Sequence, residues 1–187
     1  MLHVRSSFTD EAGTWVREED ERMEQAIISG VVHDTGEAKI TVQGVPDRPG
    51  IAAAIFRAVA DEGINVDTIV QNVSKHGMTD VSFTVPKDDL SHAGAVMERA
   101  VGEIGAERYT ADDGIATVSL VGAGMKTHPG VQAEMFSALA EVGINIEMIS
   151  TSSIRITCVI RAEDVDAAVK ALHARFALSD QAVVREH

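Results

Sequence analysis

Two Pro-Gly corners hold the polar residues best suited to meet a small charged ligand. In the first, Pro46-Asp47-Arg48-Pro49-Gly50, the chain enters a stretch of helical periodicity. The first N–H groups of a helix have no intrahelical partner, so they and the helix dipole attract a carboxylate. The carboxylate of Asp47 at the same corner suits an ammonium group. One anion-seeking element beside one anionic side chain fits a zwitterion, that is, a free amino acid. A second role is open to Asp47, because Asp is also a common helix cap. Asn65 and Asn145 each stand two residues after a helix-ending glycine. Their amides offer both donor and acceptor to a ligand, or a local hydrogen bond to a turn.

Other chemistries find no support. Gly122-Ala123-Gly124 lacks the third glycine of a dinucleotide-binding loop and runs into a Pro129-Gly130 corner. The histidines at 3, 33, 76, 92, 128, 173 and 187 have no metal-ligand spacing, and neither CxxC nor HExxH occurs. No motif exposes a nucleophile on a strained turn, and no glycine-rich phosphate loop carries a lysine. The sequence therefore predicts no catalytic site, no metal and no cofactor. Cys158 lies in an apolar run and has no partner for an internal disulfide, as expected of a buried reduced thiol in a cytoplasmic protein.

A formal charge of −13 opposes phosphate backbones and anionic membranes, and no basic stripe offsets it. No run is long enough for a transmembrane helix, and the opening MLHVRSSFTDE lacks an apolar signal core. Neither nucleic acid nor membrane is thus a predicted partner. With 187 residues, 45% hydrophobic and 24% charged, the chain fits one average domain or two small ones. Five Phe, one Tyr and one Trp leave the cores to Ile, Val, Leu, Met and Ala.

An internal repeat chooses two domains. Pro49-Gly50 returns eighty positions later as Pro129-Gly130, Phe56 as Phe136, and Gly63-Ile64-Asn65 as Gly143-Ile144-Asn145. In the first copy the pattern predicts strands at 39–44, 64–73, 79–85 and 107–111, with helices from Pro49 to about Glu62 and from Leu90 to Ile104. Pro49 fits the first helical position, where its missing N–H costs nothing, and Gly63 supplies a left-handed C-terminal cap. The second copy predicts strands at 115–121, 144–150 and 154–160, and helices at 129–142 and 164–176. A strand over Ala26–His33 (AIISGVVH) precedes both copies. Because the last strand, 182–185, is weak, AIISGVVH is also a candidate to complete the second sheet. The fold class is α+β: two ferredoxin-like βαββαβ units in tandem, each an antiparallel sheet with helices on one face. The predicted division is a charge-rich tether over 1–25, a first unit with its leading strand over 26–113, and a second over 114–187.

With those residues assembled, EAKITVQGVPDRPG, GINVDTIVQNVS, VSLVGAGMKTHPG and INIEMISTSSIRI resemble the paired ACT domains that end bacterial aspartate kinases. The opening LHVRSSF resembles the end of that family's catalytic domain. A chain starting at Met1 on that boundary looks like the separate regulatory β subunit some members make. The resemblance implies a non-catalytic, amino-acid-binding regulator of aspartate kinase, mediating feedback inhibition in the synthesis of lysine, threonine and methionine. Its implied effectors are threonine and/or lysine. Its implied assembly is a homodimer bound to the catalytic α subunit as α2β2. Carried over residue by residue, one effector set is Asp47, Arg48, Pro49, Gly50, Ile51, Ala52 and Gln71, facing Asn145 and Ile146 of a partner unit. The other is Val131, Gln132, Ser152 and Ser153, facing Asn65, Val66 and Asp67. At the repeat offset Asp47 becomes Thr127, so the second corner lacks a carboxylate. Charge-assisted hydrogen bonds are roughly twice as strong as neutral ones, and the two pockets are expected to be unequal. The alternative is a free-standing ACT-type sensor acting on another enzyme or on transcription; the kinase-like opening argues against it.

Overall fold

The computed structural model describes residues 2–4, 14–16, 28–72, 76–122, 128 and 130–178. In chain order these form β1 (Leu2–Val4), β2 (Thr14–Val16) and β3 (Gly30–Asp34). The first repeat follows as β4 (Glu37–Pro46), α1 (Ile51–Asp61), β5 (Ile69–Gln71), β6 (Met78–Pro86), α2 (Leu90–Ile104) and β7 (Arg108–Asp112). The second adds β8 (Ile115–Val121), α3 (Val131–Glu141), β9 (Met148–Thr151), β10 (Arg155–Arg161) and α4 (Val165–Arg175).

Period-two alternation sets each sheet's buried face. On β4, Ile40 and Val42 join Val81, Phe83 and Val85 of β6 against Ile51, Ile55 and Val59 of α1 and Val96 and Met97 of α2. On β8, Ala116, Val118 and Leu120 pack with Ile156, Cys158 and Ile160 of β10 beneath Met135, Leu139, Ala168 and Leu172. The sheet orders are β5-β6-β4-β7 and β3-β8-β10-β9, with every pair antiparallel. Two helices lie on one face of each, the expected pair of ferredoxin-like units.

The strand that precedes both repeats takes the second of its two expected places. It does not lead the first unit but completes the second sheet, β3 pairing with β8 from Gly30↔Val121 to Asp34↔Thr117. The edge beside β4 is already filled by β7, whereas the second sheet has an open edge beside β8. Ile28 accordingly sits in the second core. The two units are interlocked: one is completed by a strand that the chain lays down before the other begins.

Smaller departures have local causes. Gly50 takes φ +92° and caps α1, so helical geometry starts at Ile51 and not at Pro49. Gly130, at φ +113°, does the same for α3. Gly44, at φ +63°, marks an irregularity between Val42 and Val45 that lets β4 run on to Pro46. The β5 ladder is shorter than predicted because Thr84 Oγ1 accepts the N–H of Thr68 where a backbone partner would stand. In the segment expected to be a tether, β1 and β2 pair antiparallel. The expected charged run over 17–24 and the weak strand 182–185 lie outside the described residues.

The sheet faces turned away from the helices meet one another. Ile115, Met148 and Val159 are buried there, with Val70 of the first unit packed against them.

Candidate functional site

The first corner is folded by its backbone. The Asp47 N–H donates to Gly77 O at 2.9 Å, and Ala54 N–H to Gly50 O at 3.0 Å. The N–H groups of Ala52 and Ala53 precede that first helical bond, as donors at a helix start must. No side chain caps α1, so the capping role open to Asp47 is not the one it plays. Asp47, Arg48, Pro49 and Gly50 are exposed, Ile51 is buried and Ala52 half-buried. Arg48, Pro49, Gly50 and Ile51 border a groove of about 490 Å³ that runs between α1 and α2. Gln71 pairs with Val81 on the helix-bearing side of the sheet. An exposed carboxylate thus precedes the helix start by four residues, and the groove begins one residue after it, at Arg48.

The second corner offers Gly130, a buried Val131 and a half-buried Gln132, again with no side-chain cap. Thr127 and Pro129 lie outside the described residues. Ser152 and Ser153 are exposed in the turn from β9 to β10, where Ser152 Oγ accepts the N–H of Ile154 at 3.3 Å. Asn65 and Asn145 are exposed, and the turns before them are closed by backbone bonds, Ile64 N–H to Val59 O and Ile144 N–H to Leu139 O. Val66 and Ile146 pack onto the two cores.

Asn65, Val66 and Asp67 line a cavity of about 300 Å³ with Asp34, Gly36 and Glu37. Neither Asn145 nor Ile146 borders the groove at Arg48–Ile51, and neither Val131 nor Gln132 borders this cavity. Within one chain, the first unit's corner and its Asn65–Asp67 segment border separate openings, and the second-unit residues of either effector set border neither. Sequence reasoning missed Asp34 and Glu37, whose turn brings them here: Gly36 N–H donates to Asp34 Oδ1 at 2.7 Å. Burial, with Asp67 and Asp34 adding to it against a bond from Thr84, holds the Glu37 carboxyl above the ordinary range. Its Oε2 is buried without a hydrogen-bond partner. A raised carboxylate pKa means stability is greatest below the unfolded value and falls as pH rises through the folded one. Glu37→Gln is therefore expected to stabilise the chain by about 1 kcal/mol at pH 7, the low end for relieving a buried unpaired group. The gain should vanish near pH 4. Thermal unfolding at both pH values checks it; equal effects at the two would contradict it.

Cys158 is buried, and that burial pushes its thiol up to about 12. Among the described residues no group of His, Cys, Asp and Glu could hold a metal ion, and no helix is long and apolar enough to cross a membrane.

The ACT domain family matches residues 39–101 and, in a second form of that family, residues 118–176. A solved structure of aspartokinase α and β subunits superposes with a TM-score of 0.77 at 44% identity, covering 81% of this chain and 99% of that one. The chain belongs to the aspartokinase family and carries its regulatory ACT domains. The ligand-free regulatory subunit of aspartate kinase from Thermus thermophilus matches as well, with a TM-score of 0.76 and 44% identity over 80% of this chain and 99% of that one. Among full-length relatives, the aspartokinase of Mycolicibacterium smegmatis is 50% identical over 98% of this chain. The aspartokinase of Corynebacterium glutamicum is 48% identical over the same share. This chain spans 45% of each of those two proteins, less than half of their length.

Proposed function

We propose that the chain is the non-catalytic regulatory subunit of an aspartate kinase and that it binds threonine, lysine or both. The observation that carries this reading is the Asp47 corner. There an exposed carboxylate that caps nothing closely precedes the first turn of α1, in a chain built as a regulatory ACT pair. Such a corner meets both charges of an amino acid, while the small side chains of Ala52, Ala53 and Ala54 favour a short ligand such as threonine.

Each effector set has a helix start in one unit and an Asn-bearing segment in the other, so the pockets are completed by a second copy of the chain. The edge strands β5 and β9 support this. They carry Ile69 and Ile149 at equivalent repeat positions, 51% and 44% exposed. The working assembly is then a homodimer joined to a catalytic α subunit in the cytoplasm.

Mixing the chain with a catalytic aspartate kinase subunit tests the reading. The chain alone should show no phosphorylation of aspartate. Together the two should show inhibition by threonine or lysine displaced several-fold to hundredfold, the usual range of about 1–3 kcal/mol for allosteric coupling. Unchanged inhibition curves would contradict the regulatory role.

A further inference from the structure

Among the described residues, a chain of ion pairs joins the two units beside the segment carrying Asn145. Glu147 directly follows Asn145-Ile146, and its carboxylate accepts from Lys39 Nζ of β4 and, at 3.2 Å, from Arg161 Nη1 of β10. Arg161 Nη1 also donates to Asp112 Oδ2 at 2.7 Å. Lys39 and Glu147 are each about four-fifths buried. Burial alone would raise Glu147, but hydrogen bonds from Lys39 and Arg161 hold its carboxyl below the ordinary value.

On the first sheet Lys39 stands between Thr84 and Asp112 in register. Thr84 in turn grips the other Asn segment: its carbonyl accepts Asp67 N–H at 3.2 Å and its N–H donates to Thr68 O at 3.0 Å. Its hydroxyl accepts Thr68 N–H at 3.1 Å. A continuous path of direct contacts thus runs from Asn145–Glu147 through Lys39 and Thr84 to Asn65–Thr68.

The repeat shows that the fold itself does not require this arrangement. Asp67 occupies in the first unit the place of Glu147, and Pro86 the place of Arg161; each strand then enters a short 3-10 turn. The first unit builds no such pair there. The pairs form once, and they bridge.

We propose that the Lys39–Glu147–Arg161–Asp112 ion pairs couple the two effector regions of one chain, so that ordering of either Asn-bearing segment is transmitted to the other. Two regions sharing a partly buried ion pair cannot relax independently, because losing one partner strands the other's charge. This coupling rests on the effector reading above, and its test separates the two.

The variants are Lys39→Met and the milder Glu147→Gln, which keeps the side-chain shape. The first readout is amide hydrogen exchange without any amino acid present. Exchange should accelerate severalfold in both 64–68 and 143–147, while the helices keep parent rates. The second is calorimetric titration with threonine, with and without saturating lysine. In the parent, each amino acid should alter affinity for the other at least fivefold. In either variant that factor should fall to about one, with each single affinity within about threefold of the parent. Acceleration in one segment only, acceleration throughout both sheets, or an unchanged factor would overturn the proposal. If the parent binds neither amino acid, exchange decides alone. Joint acceleration then upholds the coupling, and the effector reading is what fails.

Discussion

Phe83→Ala is expected to cost about 3–5 kcal/mol of folding stability, the range for truncating a buried aromatic. Phe83 is fully buried on β6, an inner strand of the first sheet. Its ring meets Phe56 of α1 edge-on, with centroids 5.3 Å apart and planes at 71°. Such pairs contribute about 0.5–1.5 kcal/mol beyond the area they bury. The other rings at this core, Phe56 and Tyr109, already pack against it from their own elements. At the corresponding strand position the second unit has Cys158, also fully buried, and Cys158→Ala should cost far less because only one sulfur is removed. Urea unfolding of both variants against the parent measures the difference. A loss below about 1 kcal/mol for Phe83→Ala would mean that this ring does not fill the first core.

The second large effect falls on binding. Asp47→Ala should weaken threonine binding by about 1.5–3 kcal/mol, the usual cost of losing a hydrogen bond to a charged group. That is about tenfold to a hundredfold in affinity. Asp47 is exposed and caps nothing, so the variant should fold as the parent does, which circular dichroism can check. Thr127→Ala, at the corner without a carboxylate, should cost its own pocket only about 1 kcal/mol. Threonine titration of both variants ranks the pockets. Parent-like binding by Asp47→Ala with loss in Thr127→Ala would reverse the ranking.

Most of the fold was legible because the repeat reads the same pattern twice. Ile51, Ile55 and Val59 recur as Val131, Met135 and Leu139, and both trios are buried against their sheets. What local pattern could not decide was pairing between distant strands. AIISGVVH reads as a strand from its β-branched residues, but its partner depends on which edge stands open far along the chain, at β8. Helix starts were misplaced by two residues because Pro49 satisfies the steric rule for a first helical position, while Gly50 takes up the turn with a positive φ that no spacing reveals. The corner residues were named as candidates from type and order alone. Asp34, Glu37 and Lys39 were missed because their partners, Asn65, Asp67 and Glu147, lie far along the chain. One signal was available for the last: Glu147 falls at the repeat position of Asp67, so a charge kept in both copies marked the site.

Calorimetric titration of the purified chain with threonine and with lysine asks whether these two ACT units are themselves an amino-acid receptor. Saturable heat is expected with at least one of the two, and tighter self-association of the chain in its presence, since a ligand bridging two copies favours their pairing. Absence of binding to both, in a chain shown to be folded, would contradict the receptor role.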